Sequence, residues 1–184
     1  IIRHMVGGLA SAHRAGVVHR DLKASNVFLV PCDDGERAVI ADFGLACSPD
    51  QDDGDDSTAT APDRLFGTPA YVSPEQLQGK PTGPTSDVYS LGVVMYEMVT
   101  GARPFEGPSP LSAAVRRLVE DPTPPRRLVH QLSVRWQSVI LRCLAREPRR
   151  RFASVDEIVP ALTGESLGVH VSRRRDDDVR AVVA

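Results

Sequence analysis

Two polar motifs on either side of a short apolar stretch constrain the fold of this chain more than any other feature. The first motif reads HRDLKASN at 19–26, and the second reads DFG at 42–44. Between them, 26–30 and 38–41 have the apolar composition of β-strands, and 31–36 contains the turn signal Asp-Gly. The pattern predicts a small β-hairpin, with the two motifs on the short loops that flank it.

The rest of the chain has mostly helical periodicity. Apolar residues recur at helical spacing from Ile2 to Ala12, and Gly16 follows as a stop signal. A second helix, over 87–99, is apolar almost all round, which is typical of a helix in the middle of a core. Later helices are predicted over 110–120, over 133–146 and from a capping box at 154–157, the last one short or kinked because it contains Pro160. The fold class is therefore α+β, mainly α.

Length and composition indicate one globular domain with a tail. The chain has 184 residues, enough for one domain and short for two. Six aspartates between 46 and 66 predict a flexible surface loop. At 164–184 an Arg-Arg-Arg run meets an Asp-Asp-Asp run, which is typical of a charged linker. We therefore assign the domain to 1–163 and a flexible tail to 164–184.

Charge and cysteine usage exclude several classes of protein. A formal net charge of −2 gives no reason to expect nucleic acid as a partner. The three cysteines Cys32, Cys47 and Cys143 are widely spaced and lack metal-ligand spacing, so we expect them to be reduced and to serve in packing. No apolar run approaches the ~20 residues of a membrane span, and no signal peptide opens the chain. We expect a cytoplasmic domain, whose membrane anchor, if it has one, lies outside this chain.

The motif side chains have the chemistry that phosphoryl transfer from ATP requires. The Asp21 carboxylate can orient an acceptor hydroxyl and take its proton, and the Lys23 ammonium can offset developing negative charge. Asn26 and Asp42 offer the hard oxygen ligands that a metal ion on the phosphates needs. Each acid or amide taken alone is more often the cap of a turn, but the ordered set favours phosphoryl transfer.

Together these motifs resemble those of the eukaryotic-type protein kinases, and 1–163 resembles the large, C-terminal lobe of such an enzyme. The resemblance implies that Asp21 is the catalytic base and that Asn26 and Asp42 hold Mg²⁺, with Mn²⁺ as an alternative ion. It also implies that the ATP-binding residues are Lys23, Ser25, Asn26 and Asp42. Structural roles are implied for His19, Phe43, Gly44, Glu75, Asp87 and Arg151.

Several of these structural roles are specific. His19 and Phe43 would stack in a hydrophobic spine, and Asp87 would hold the backbone of the catalytic loop. The sequence GTPAYVSPE at 67–75 resembles the end of a kinase activation segment, a peptide-docking element, and its glutamate would pair with an arginine of the core. That pair is Glu75 with Arg151.

Lys23 and Thr68 together resemble the branch of the family that phosphorylates serine and threonine of proteins. The sequence from 67 to 76 and the Arg- and Ala-rich composition are similar to bacterial kinases of this branch. Arg20, directly before the catalytic aspartate, resembles kinases that are activated by phosphorylation of their activation loop. Thr58 and Thr60 are the candidate sites, phosphorylated by a second copy in a homodimer; a solvated acidic insert is the alternative.

The resemblance also predicts what this chain lacks. A kinase needs a Gly-rich loop over the phosphates and a strand lysine paired with a helix glutamate, and neither pattern occurs in the 184 residues. We therefore expect a small lobe before Ile1 as the missing partner, and an isolated chain that is inactive. A pseudokinase-like binding module and, more weakly, a lipid or small-molecule kinase remain as alternative functions.

Overall fold

The computed structural model describes residues 1–33, 35–43 and 70–164, which are mainly helical with one two-stranded antiparallel sheet. The predicted loop at 46–66 and almost all of the predicted tail at 164–184 lie outside the described residues. The strands are β1 (Val27–Cys32) and β2 (Gly35–Ile40). The helices are α1 (Ile2–Arg14), α2 (Pro74–Leu77), α3 (Pro84–Thr100), α4 (Pro110–Val119), α5 (Val134–Cys143) and α6 (Ile158–Thr163).

Helix α3 forms the centre of the core, as its apolar composition predicts. It starts three residues earlier than predicted because Pro84 provides a favourable first turn. Its residues 86–96 are all buried. It packs closely on α5, where a Cβ added to Gly92 would lie only 2.6 Å from the Cβ of Cys143. The helix ends at Gly101, whose φ of 70° places it in the left-handed region that favours glycine.

Helix α1 joins the hairpin to this core. Met5 and Leu9 on its apolar face are fully buried, so the predicted first helix is confirmed. The Nδ1 atom of His4 accepts the backbone N–H of Ala38 in β2 at 3.1 Å. Packing and this hydrogen bond together hold the hairpin against α1, so the loops at its base have a fixed position relative to the core.

The hairpin is longer than the sequence predicts. The predicted turn at 31–36 is wrong at both ends, because strand pairing continues through Pro31 with Glu36 and Cys32 with Gly35. Both strands of a two-stranded sheet are edge strands, where a proline is tolerated. Asn26 lies in a 3₁₀ turn, Ala24–Asn26, rather than in the strand.

The later helices follow the prediction with changes at their ends. Helix α4 begins at the predicted residue, is capped by Ser109 and ends one residue before the predicted 120. Helix α5 ends before the predicted Arg146. The side chain of Arg151 binds the carbonyls of residues 145 and 146, just beyond the end of this helix. A 3₁₀ turn, Val155–Glu157, precedes the short α6, where Pro160 falls in the first turn and removes no helical hydrogen bond.

Two further expectations can be compared with the described residues. Cys143 is buried in the core, and burial raises the pKa of its thiol to about 12. The expectation of a packing role is wrong for Cys32, whose position at the end of β1 leaves it exposed, and Cys47 lies outside the described residues. No helix in the described part of the chain is long and apolar enough to cross a membrane.

Candidate active site

The loop after α1 brings Asp21, Lys23 and Asn26 together. The Nζ atom of Lys23 donates a hydrogen bond to Asp21 Oδ2 at 2.7 Å, and the Asn26 side-chain amide donates to the Asp21 carbonyl at 3.0 Å. The Asp21 side chain is 40% exposed, whereas that of Lys23 is 21% exposed. The carboxylate is therefore fixed by its neighbours and still accessible to a hydroxyl group from outside.

The segment after β2 runs beside this loop. The backbone N–H of Ala41 donates to the Asn26 carbonyl at 2.9 Å, and the Ala41 carbonyl lies 3.0 Å from His19 Nε2. Asp42 follows directly, exposed and with a left-handed φ of 61°. These hydrogen bonds hold the chain just before Asp42 beside the loop that carries Asp21 and Asn26.

The rings of His19 and Phe43 are in contact, with centroids 4.7 Å apart and planes tilted by 52°. His19 is fully buried, and its Nδ1 atom accepts the backbone N–H of Asp21 at 3.3 Å. This contact between apolar ring faces joins the two motifs on the side that packs against the core. The two rings thus pack together at the core, and their role in a hydrophobic spine stays a prediction.

Asp87 in α3 binds the backbone of the same loop. Its fully buried carboxylate accepts the N–H of His19 at 2.8 Å and that of Arg20 at 2.9 Å. A third contact, 2.7 Å long, joins it to Nε2 of His13 at the end of α1. Arg20 has a φ of 66°, which is strained for a residue with a side chain. The carboxylate is therefore well placed to stabilise that conformation.

Glu75 and Arg151 form a buried, bidentate ion pair. Both nitrogens of the guanidinium fork lie 2.7 Å from Glu75 carboxylate oxygens, and the Ser86 hydroxyl donates to the same carboxylate at 2.8 Å. Burial by itself would raise the pKa of Glu75, but the hydrogen bonds and charge of Arg151 outweigh it and lower the pKa. The pair fixes Glu75, at the end of the 67–75 segment, to the chain between α5 and α6.

Two sets of contacts beside the site are not predicted from the sequence. Gln76 accepts the N–H of Ser73 at 3.0 Å and donates to the Arg20 carbonyl at 2.8 Å, and Arg117 binds the backbone at 70 and 72. The spacing of Ser73 and Gln76 is that of a capping box and could have revealed the first contact. No sequence signal distinguishes Arg117 from its neighbour Arg116.

Five predicted residues remain, of which the structure describes one. Ser25 lies exposed in the 3₁₀ turn. Gly44, Thr58, Thr60 and Thr68 lie outside the described residues, so their roles stay predictions.

The polar oxygens of the site suit a hard cation. Asn26 uses its amide nitrogen on the Asp21 carbonyl, so its Oδ1 atom is the one left for a ligand, and Asp42 supplies a carboxylate. Across the described residues, no group of three or more His, Cys, Asp or Glu side chains could hold a metal ion. Two oxygen ligands fit Mg²⁺, which commonly binds through one or two protein groups together with phosphates and water.

Known proteins with similar sequences are kinases. A family model described as "Protein kinase domain" matches residues 1–161. The serine/threonine-protein kinase pkn3 of Myxococcus xanthus is 37% identical over 96% of this chain and 32% of its own length. PknL of Mycobacterium tuberculosis is 39% identical over 83% of this chain and 36% of its own length.

A third relative, the probable serine/threonine-protein kinase PknB of Corynebacterium glutamicum, is 38% identical over 84% of this chain and 24% of its own length. The match thus spans about a quarter to a third of each of these three relatives. The family model covers nearly the whole chain, and it includes the motifs that form the site. This chain belongs to the protein kinase domain family.

Proposed function

We propose that this chain is the large lobe of a Ser/Thr protein kinase, which transfers the γ-phosphoryl group of ATP to serine and threonine hydroxyls of proteins. The observation that carries the proposal is the 2.7 Å contact of Lys23 Nζ with a half-exposed Asp21 carboxylate. The accessible Asp21 carboxylate can accept the proton of a hydroxyl group. The Lys23 ammonium beside it can offset the negative charge of the phosphoryl group that is transferred there.

The proposed reaction uses the two side chains in one step. The acceptor hydroxyl oxygen attacks the γ-phosphorus, the bond from that phosphorus to the β–γ bridging oxygen breaks, and ADP leaves. Asp21 Oδ takes the proton of the hydroxyl. The Lys23 ammonium, held beside Asp21, offsets negative charge on the transferred group.

Asn26 and Asp42 are the residues that would hold Mg²⁺ in this proposal. When it is bound, the ion neutralises charge on the phosphates of ATP. Asn26 is 5% exposed and its amide nitrogen is fixed by the Asp21 carbonyl, so its oxygen is preorganised for that role. The ATP-clamping small lobe that the reaction requires belongs to the proposal as an expected part of the full-length protein.

The experiment that tests this proposal compares Asp21→Asn with Asp156→Asn in the full-length protein. Asp156 is a matched control because its side chain is 58% exposed, and its contact with Arg14 is 3.7 Å long. Transfer of labelled γ-phosphate to a library of Ser- and Thr-containing peptides is measured with Mg²⁺ present. We expect Asp21→Asn to lower kcat by about 10² to 10⁴, and Asp156→Asn to leave it unchanged. An inactive wild-type protein would favour a non-catalytic binding module, whereas an active wild-type protein with an unaffected Asp21→Asn variant would reject Asp21 as the base.

Autophosphorylation at Thr58 or Thr60 by a second copy of the protein is a separate part of the proposal. It rests on the arginine that precedes Asp21, because a phosphate of about −1.5 to −2 charge can pair with an arginine and order a loop. Peptide mass spectrometry after incubation with ATP measures it. A wild-type protein that phosphorylates peptides but carries no phosphate at 57–60 would disprove this part alone.

A further inference from the structure

Residues 70–72 are held by side chains rather than by regular backbone pairing. Across the described residues, no backbone–backbone hydrogen bond involves Ala70, Tyr71 or Val72. Instead, three successive carbonyls each accept a hydrogen bond from a side chain of the core. Arg117 Nη2 binds the first and Arg117 Nη1 the third, both at 2.7 Å, while the Ser90 hydroxyl binds the middle one at 2.9 Å.

The Arg117 guanidinium is suited to this contact by its shape and its burial. The residue is 2% exposed, and the centroid of the Phe105 ring lies 6.0 Å from its Cζ atom. Burial lowers the pKa of the guanidinium, which means that placing the charge here has a cost. The planar guanidinium places two separate nitrogens at fixed positions, one for each carbonyl, whereas a lysine ammonium has a single nitrogen and no fixed fork. The short contacts with charged donors offset part of the cost.

The segment held in this way leads directly to the catalytic loop. After Val72, the side chain of Ser73 and that of Gln76 are joined at 2.8 Å, and Gln76 Nε2 donates to the carbonyl of Arg20 at 2.8 Å. Arg20 immediately precedes Asp21. A chain of direct contacts therefore runs from α4, through residues 70–76, to the residue before the proposed catalytic base.

We propose that Arg117 is a positioning residue for the protein substrate: it fixes residues 70–72 as a rigid surface on which the substrate peptide docks beside Asp21. This inference rests on the proposed function, since the 67–75 segment resembles a peptide-docking element. Arg117 acts through the backbone that it binds, without contact with the peptide. ATP binds to other residues of the site, so Arg117 affects the binding of the peptide and leaves the binding of ATP unchanged.

The test measures peptide and ATP kinetics separately in the full-length protein. Arg117→Met removes both hydrogen bonds, and Arg117→Lys keeps the charge but loses the fork. Ser90→Ala releases the middle carbonyl with a much smaller change. Arg116→Met is the matched control, because Arg116 is the neighbouring arginine of α4 and its side chain is 49% exposed.

For Arg117→Met we expect the peptide KM to rise about tenfold, equivalent to about 1.4 kcal/mol, with the ATP KM within about twofold of wild type. Arg117→Lys and Ser90→Ala should raise the peptide KM by smaller factors, and Arg116→Met should not raise it. If Arg117→Met does not fold, the other two variants decide. Equal changes in both KM values, or an unchanged peptide KM, would overturn the inference. An inactive wild-type protein would instead reject the proposed function.

Discussion

Asp87 and Arg20 are 67 residues apart in sequence, yet Asp87 Oδ1 accepts the Arg20 backbone N–H at 2.9 Å. The accepting carboxylate is fully buried, and the donating residue has a strained, left-handed φ of 66°. A strained backbone persists only where its surroundings fix it. The contact therefore links the geometry of the loop at 19–26 to α3, the central helix of the described core.

Replacing Asp87 with asparagine should destabilise the domain and impair the site together. The amide places an N–H group against N–H donors of His19 and Arg20, so a buried donor loses its acceptor. Hydrogen bonds to charged groups are worth about 1.5–3 kcal/mol each, and we expect a loss of that order in the free energy of unfolding. Urea denaturation measures it, with exposed Asp156→Asn as the control. A loss no larger than that of the control would contradict this interpretation.

The Glu75–Arg151 pair should be costly to break from one side. Arg151→Met leaves a buried carboxylate without its cation, for which we expect a loss of about 3–5 kcal/mol in the free energy of unfolding. The control is Arg149→Met, because Arg149 forms a similarly short contact with Glu147 but its side chain is 84% exposed. Exposed pairs contribute about 0–1 kcal/mol. Similar losses in the two variants would disprove the proposed importance of burial.

The same pair predicts a dependence of stability on acid. The pKa of Glu75 is lower in the folded protein than its ordinary value of 4.5, with burial opposing and Arg151 causing the shift. The unfolded state therefore binds a proton first as pH falls. The stabilisation is fully present above pH 4.5 and is lost as pH falls through the folded pKa. Urea denaturation across this range should show a smaller pH dependence for Glu75→Gln than for Glu36→Gln, which alters an exposed carboxyl.

The sequence predicts the helices well because their apolar residues follow the helical period. The positions of α1, α3 and α4 are confirmed within a few residues. Element ends are less predictable, since the apolar period does not mark them. Helix α5 ends three residues before the predicted Arg146, and the Arg151 side chain that binds the carbonyls of residues 145 and 146 just beyond it cannot be seen from the α5 sequence alone.

The candidate site could be predicted only where a motif carries it. The motif at 19–26 places Asp21, Lys23 and Asn26 within five positions, so their proximity follows from short spacing. Arg116 and Arg117 show the limit of this reasoning. Both are arginines of one amphipathic helix, and only the rotation of α4 against the core makes the second buried and leaves the first exposed. Which face of α4 turns toward the core depends on the elements that it packs against, and the α4 sequence alone does not specify it.

All three tyrosines of the chain should resist ionisation at the usual pH. Burial raises the pKa of Tyr71 to about 12, with a further contribution from its hydrogen bond to Glu97, and burial also raises the pKa of Tyr89 and Tyr96. Absorbance at a tyrosinate wavelength in the isolated chain should therefore stay flat through the ordinary value of 10.0 while the fold is intact.

The sign of the effect on stability follows. Above pH 10 the unfolded state loses tyrosine protons that the folded state retains, so the free energy of unfolding decreases as pH rises. A tyrosinate signal with a midpoint near pH 10 and unchanged circular dichroism would show that the tyrosines are not buried in this way. The unfolded chain in urea provides the reference titration.

The close approach of α3 and α5 predicts opposite effects for two glycine substitutions. A Cβ at Gly92 would lie 2.6 Å from the Cβ of Cys143 and 3.3 Å from a side-chain carbon of Leu144, so the two helices must move apart. Overpacking of this kind costs about 1–3 kcal/mol.

Gly7 is the matched control, because it also lies within a helix and an added Cβ there meets nothing within 4 Å. Gly7→Ala should stabilise α1 by about 0.5–1 kcal/mol through the lower backbone entropy of the unfolded chain. Thermal denaturation of both variants measures the difference. If Gly92→Ala were as stable as Gly7→Ala, α3 and α5 would have to be packed less closely than the structure shows.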